Sequence, residues 1–144
     1  PTIAAIAGAP LPRNRIDGVS LRELVEGRSS ARPRRSLYYY YGRQLCAVRR
    51  DNWKLVLPHT SRTYVGQERG RDGFPGPTTD VKVGLALYDL DTDVGETRDT
   101  AADHPNIVRD LQALAETARE DLGDTLTDRK GTGVREAGRI APKG

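Results

Sequence analysis

Three segments with a two-residue apolar period follow one another in the middle of the chain. They are SLYYYYG, QLCAVRR and NWKLVLP, and each is bounded by Gly, by Asp-Asn or by Pro. This period is typical of half-buried strands, and the bounding residues favour turns. Arg50, Asp51 and Asn52 would form a hairpin turn, and VGLALYDL is a fourth strand candidate. We therefore predict strands near residues 37–41, 45–50, 53–57 and 85–90.

One amphipathic helix is predicted after these strands, near residues 105–122. Pro105 suits the first helical position and Gly123 is a natural C-terminal stop, while His104 is expected to help cap the helix. The apolar residues recur at three- and four-residue spacing; they are Ile107, Leu111, Leu114, Ala118 and Leu122, widened by Val108 and Ala115. Strands together with a single helix predict an α+β fold.

Composition excludes several classes of protein. The 144 residues suffice for one domain, and a net charge of +3 is too small to indicate a nucleic-acid partner. No apolar run approaches the roughly 18 residues that span a bilayer, so no membrane partner is predicted. The single cysteine, Cys46, allows no internal disulfide, and it cannot build a zinc site with the well-separated His59 and His104.

The chain is expected to have three parts. Residues 1–27 would be a linker with short helices, the first of them ended by Gly8. Residues 28–126 would be the main folded unit, within which residues 59–84, rich in glycine and proline, predict a long loop. Residues 127–144 would be an extended surface tail. Because the chain opens on an apolar helical segment without an N-cap, we expect it to follow a larger domain.

The stretch LYDLDTDVGE, residues 87–96, places three aspartates at alternate positions. An EF-hand calcium loop needs glycine at its sixth position and glutamate at its twelfth. Counted from Asp89, these positions hold Val94 and Thr100. The stretch therefore predicts a turn after a strand, and neither a calcium loop nor an acid/base pair.

A resemblance emerges from the order of these segments. NWKLVLPH, followed after a long interval by LYDLDTDVGETRDTAADHPNIVRDLQALAE, resembles the C-terminal portion of the arylsulfatase-like sulfuric ester hydrolases. The opening PTIAAIAGAPLP resembles the segment that joins their large catalytic domain to the smaller one, so the resemblance covers roughly residues 1–123. Val94 departs from the family, which has proline there. The resemblance implies a four-stranded antiparallel sheet with one helix packed on one face, in agreement with the periodicities above.

The resemblance also implies an enzyme that hydrolyses sulfate esters, with an N-terminal catalytic domain as partner and an extracytoplasmic location. Family members use a formylglycine made within a Cys-x-Pro-x-Arg motif and a divalent metal, usually calcium, and both belong to the large domain. Cys46 is followed by Arg50, but Val48 stands where the motif needs proline. We therefore expect Cys46 to be structural and this chain alone to hold no cofactor and to be inactive.

Three residues are candidates for binding the sulfated ester substrate. His59, Arg62 and Tyr64 follow a predicted strand, and imidazole and guanidinium groups can donate hydrogen bonds to anionic oxygens. The alternative is an ordinary surface loop. The tyrosines from Tyr38 to Tyr41 could serve cross-strand packing, docking to the catalytic domain or sugar stacking.

Two other functions stay open at this point. A free-standing module could bind polyanions through the arginines of residues 28–35, although such a run is usually a solvated loop. A structural domain that binds another protein is the second alternative.

Overall fold

The computed structural model describes residues 1–28 and 34–136. By its internal contacts the chain divides into two units, Pro1–Ser36 and Leu37–Gly144. In the first unit, helix α1 spans Thr2–Ala7 and helix α2 spans Arg22–Val25. Gly8 ends α1 in the left-handed conformation, at φ 65°, which confirms the predicted stop. Neither helix buries a side chain.

A four-stranded sheet forms the centre of the second unit. Its strands are β1 (Ser36–Tyr41), β2 (Gln44–Arg50), β3 (Trp53–Val56) and β6 (Ala86–Asp89), in the spatial order β1-β2-β3-β6. β3 pairs antiparallel with both β2 and β6. Asp51 turns the β2–β3 hairpin with a φ of 53°, a conformation that Asp tolerates better than most residues. The predicted four-stranded antiparallel sheet is confirmed.

Helix α3 spans Pro105–Leu122 and packs on one face of this sheet, as predicted. Leu111 and Ala115 of α3 share a core cluster with Val48, Leu55 and Leu87, which lie opposite one another on β2, β3 and β6. All five are buried. The helix is therefore held by apolar burial along one face, which is the main source of stability for such a helix.

The prediction of a loop throughout residues 59–84 is wrong at both ends. β4 (His59–Thr63) and β5 (Thr79–Val83) pair antiparallel and form a separate two-stranded sheet. Their sequences, HTSRT and TDVKV, carry little apolar alternation because neither strand contributes a buried side chain. Their β-branched Thr and Val residues were the signal for strands.

Two features near α3 differ in detail from expectation. β7 (Gly123–Asp124) pairs with β8 (Arg129–Lys130), so a short strand lies within the segment 127–144 predicted as a tail, of which residues 137–144 lie outside the described part of the chain. His104 occupies the N-cap position of α3, as predicted, and its carbonyl accepts a hydrogen bond from the Val108 N–H, but its side chain makes no capping hydrogen bond. Its ring instead packs against Trp53, with the ring centroids 4.8 Å apart.

Candidate functional site

The three predicted substrate-binding residues line one pocket beside the β4–β5 hairpin. Its volume is about 320 Å³. The lining residues are Tyr41, His59, Thr60, Ser61, Arg62, Tyr64 and Thr78. His59 and Arg62 lie on β4, while Tyr41 ends β1 of the other sheet. The structure thus brings His59, Arg62 and Tyr64 together, and their role in binding stays a prediction.

Arg62 carries the positive charge of this pocket. Its Nη2 atom donates a hydrogen bond to the Tyr41 hydroxyl, and its guanidinium carbon lies 5.6 Å from the centroid of the Tyr41 ring. Asp80 is its register partner on β5, yet Arg62 forms no ion pair with any residue in the described ranges. Because a guanidinium has five N–H donors, most of the hydrogen-bonding capacity of Arg62 is left for a ligand.

His59 is oriented by the backbone. Its Nδ1 lies 2.7 Å from the carbonyl oxygen of Leu57, and a carbonyl can only accept, so Nδ1 carries the proton. Nε2 then accepts a hydrogen bond when the ring is neutral and donates one when it is protonated. Tyr64 is exposed and adds a phenol at the rim of the pocket.

The tyrosines of β1 have three different partners. Tyr40 donates a hydrogen bond of 2.8 Å to the carbonyl of Gly123, on the side of the sheet that α3 covers. Burial, and then the charge of Asp124, raise the pKa of Tyr40. Tyr39 lies under the ammonium of Lys54, 5.0 Å from its ring centroid. Tyr41, which sequence reasoning did not single out for the pocket, contacts Arg62.

The acidic turn uses its carboxylates for its own backbone. Asp93 accepts hydrogen bonds from the N–H groups of Arg98 and Thr97, and these bonds lower its pKa. Asp89 accepts from the side-chain amide of Asn52, which is the main reason that its pKa is lowered. Carboxylates held in this way stay ionised and fix the turn, as the sequence predicted.

The part of the chain that the structure describes does not fit a sulfatase cofactor. Cys46 lies half-buried on β2, and burial raises the pKa of its thiol, which keeps it unreactive. Val48, two residues later, is fully buried and occupies the place where a formylglycine motif needs proline. Across residues 1–28 and 34–136, no three His, Cys, Asp or Glu side chains are grouped so that they could hold a metal ion.

The described arginines at the two ends of the arginine segment already have protein partners. Arg28 pairs with Glu23 at 3.1 Å and with Glu26 at 2.9 Å, and Arg34 donates to the carbonyl of Asp17. Residues 29–33, the middle of the proposed polyanion patch, lie outside the described residues. Of the helices that are described, none is both long enough and apolar enough to cross a membrane.

Comparison with known proteins places these observations in a family. A family model for the C-terminal region of aryl-sulfatase matches residues 32–135. Human arylsulfatase A is 30% identical over 129 residues, covering 79% of this chain and 24% of that protein. Human steryl-sulfatase is 48% identical over 50 residues, covering 34% of this chain and 9% of that protein. The chain therefore spans about a quarter or less of these relatives.

A solved structure extends the comparison to the fold. It belongs to a protein described for the metabolism of multiple glycosaminoglycans by Bacteroides thetaiotaomicron, with a TM-score of 0.56 and 22% identity. The similarity covers 82% of this chain and 23% of that one. At this identity the likeness concerns the fold alone. Since the family model matches most of the chain, the chain belongs to the sulfatase family, as its C-terminal region.

Proposed function

We propose that this chain is part of an enzyme that hydrolyses sulfate esters and that the pocket beside β4 and β5 forms one wall of its substrate cleft. Family membership supports the reaction class. The main support for this role of the pocket is the state of Arg62. Its guanidinium lines the pocket and has no carboxylate partner among the described residues. A cation in that state is suited to an anionic ligand.

The pocket supplies hydrogen-bond donors of the kind that sulfate oxygens accept. A guanidinium can donate two parallel hydrogen bonds to two oxygens of one anion. Tyr64 adds a phenol O–H donor on the same hairpin, and His59 adds a donor at Nε2 when its ring is protonated. These groups would bind a charged part of the substrate away from the bond that is cleaved, and so would determine specificity.

The reacting groups would come from the remainder of the enzyme. In family members a formylglycine supplies the nucleophile and a calcium ion supplies charge stabilisation. Neither fits the side chains that the structure describes, since Cys46 lacks the required proline two residues later and the acidic turn already uses Asp89 and Asp93. We therefore place both groups in an N-terminal catalytic domain, which is the partner of this region.

Substitution of Arg62 and His59 in the full-length enzyme tests the role of the pocket. The small probe is 4-nitrophenyl sulfate, and the larger probes are a sulfated glycosaminoglycan disaccharide and a steryl sulfate, chosen from the substrates that relatives' names indicate. Arg62→Ala should raise KM for the better large probe about tenfold, which corresponds to the free energy that one hydrogen bond to a charged group contributes. His59→Ala should raise it less. KM and kcat for 4-nitrophenyl sulfate should stay within about twofold, because remote binding energy is all that is lost.

Arg71→Ala provides the matched control. Arg71 is an exposed arginine between β4 and β5 that does not line this pocket. Its removal changes the net charge by the same amount, so it reports any effect of charge alone. Unchanged kinetics of Arg62→Ala and His59→Ala on both large probes would contradict the proposal, as would an equal effect of Arg71→Ala.

A further inference from the structure

Within the pocket, Tyr41 contacts Arg62 although the two residues lie on different sheets, Tyr41 on β1 and Arg62 on β4. It accepts a hydrogen bond from Nη2 of Arg62 through its hydroxyl, and its ring lies 5.6 Å from the guanidinium carbon. The hydrogen bond from Nη2 and the contact between the tyrosine ring and the guanidinium together restrict both the position and the tilt of the guanidinium. Without them an exposed arginine samples many rotamers.

The direction of Tyr41 follows from the alternation of side chains along β1. Tyr40 reaches Gly123 on the side of the sheet that α3 covers, so its neighbours Tyr39 and Tyr41 project to the other side. The ring of Tyr39 contacts the ammonium group of Lys54, on β3. Tyr41, at the end of β1, extends past the sheet and reaches the hairpin, where Arg62 lies.

Burial argues against a purely structural role for this pair. Tyr41 is 61% exposed, and Arg62 is exposed as well. Neither residue belongs to the core cluster, and an exposed cation–π contact adds only about 0.5–1 kcal/mol to stability. The contact therefore does little for folding, while it fixes the guanidinium of Arg62, a permanently charged group among the described residues that line the pocket.

We propose that Tyr41 is a positioning residue for substrate binding, which holds the Arg62 guanidinium with its remaining N–H donors available to an anionic group. This inference rests on the proposed function of the pocket. It adds that the specificity of the hairpin depends on a residue of the four-stranded sheet. Preorganisation of a binding arginine lowers the entropy that the ligand must otherwise offset on binding.

A double-mutant cycle in the full-length enzyme tests this inference, using the larger sulfate ester probes defined above. Tyr41→Phe removes the hydroxyl acceptor and keeps the ring, whereas Tyr41→Leu removes both contacts. In the presence of Arg62, we expect Tyr41→Phe to lower kcat/KM about threefold and Tyr41→Leu more, mainly through KM. In the Arg62→Ala background, both Tyr41 changes should have almost no further effect on kcat/KM, because Tyr41 influences substrate binding only by positioning Arg62.

The matched control is Tyr38→Phe, the same change on the same strand at a residue outside the pocket. Thermal unfolding of each variant verifies that the fold is retained. If Arg62→Ala impairs the large probes but neither Tyr41 variant couples to it, the positioning role is wrong and the proposed function stands. If Arg62→Ala has no effect on either large probe, the positioning role is wrong, and if His59→Ala has none as well, the proposed role of the pocket is also wrong. Coupling in either Tyr41 variant supports the positioning role.

Discussion

At the scale of single residues, Asp124 connects three parts of the second unit. It is 1% exposed, and it accepts hydrogen bonds from the backbone N–H groups of Leu45 and Leu126 and from Nε of Arg119, the last at 2.9 Å. Burial opposes ionisation of this carboxyl, but the hydrogen bonds outweigh it and lower the pKa of Asp124. The ionised carboxylate thus ties β2 to the end of α3.

Loss of this carboxylate should destabilise the fold. Asp124→Asn removes the charge that Arg119 pairs with, and breaking a buried ion pair costs about 3 kcal/mol or more. Because the folded-state pKa is lowered, the stabilisation is present above about pH 4, the usual aspartate value, and is lost as the pH falls through the lowered pKa. Urea unfolding at pH 7 should show the full difference between the wild-type chain and the variant, and the difference should shrink in acid.

Asp91→Asn is the control for that measurement, because Asp91 is exposed in the acidic turn. It should change the free energy of unfolding by no more than about 0.5 kcal/mol. A comparable loss in both variants at pH 7 would show that the buried pair is not the cause.

The residues of the candidate site were only partly accessible from the sequence. His59, Arg62 and Tyr64 could be selected because they cluster within six positions and have chemistry suited to anions. Tyr41 could not, since its contact with Arg62 joins residues 21 positions apart that belong to different sheets. The position of His104 before Pro105 predicted an N-cap, which it is, but nothing in the sequence indicated that its ring packs against Trp53 and makes no capping hydrogen bond.

At the scale of elements, prediction succeeded where burial leaves a period in the sequence. The four strands of the main sheet and helix α3 each contribute to one core, so their apolar residues alternate or recur with the helical period. The β4–β5 hairpin contributes no buried side chain, and its sequence therefore resembles that of a loop. A strand whose side chains stay outside the core carries only its weak β propensity as a signal.

The packing of α3 yields an element-scale prediction. Leu111 is 2% exposed within the core cluster, whereas Leu122 at the end of the same helix is 41% exposed. Leu111→Ala should lower the free energy of unfolding by about 3 kcal/mol, through lost burial and the cavity that it leaves. Leu122→Ala, with the same change in helix propensity, should lower it by less than about 1 kcal/mol. Equal losses in urea unfolding would contradict the packing of α3 by its inner face.

At the scale of the whole molecule, the first unit differs from the second in how it is held. Helices α1 and α2 bury no side chain, and they are joined by polar contacts such as the 2.8 Å hydrogen bond from Arg22 to the carbonyl of Ala5. Ile3 and Val25 are 83% and 70% exposed. Because this chain corresponds to 24% of arylsulfatase A, we propose that the catalytic domain covers these apolar residues.

Separation of this chain from the catalytic domain gives the last prediction. The isolated 144-residue chain should not hydrolyse 4-nitrophenyl sulfate, because Cys46, its one cysteine, lacks the proline that the formylglycine motif needs two residues later. In the same preparation, amide hydrogens of α1 and α2 should exchange rapidly, since helices of 6 and 4 residues are too short to be stable alone. In the full-length enzyme both should change: the ester is hydrolysed, and the two helices gain protection by docking.

A Cys46→Ser variant of the full-length enzyme controls for the thiol and should keep its activity. Chelator-sensitive turnover by the isolated chain would refute the assignment of chemistry to the catalytic domain, and equal exchange of α1 in both proteins would refute the docking.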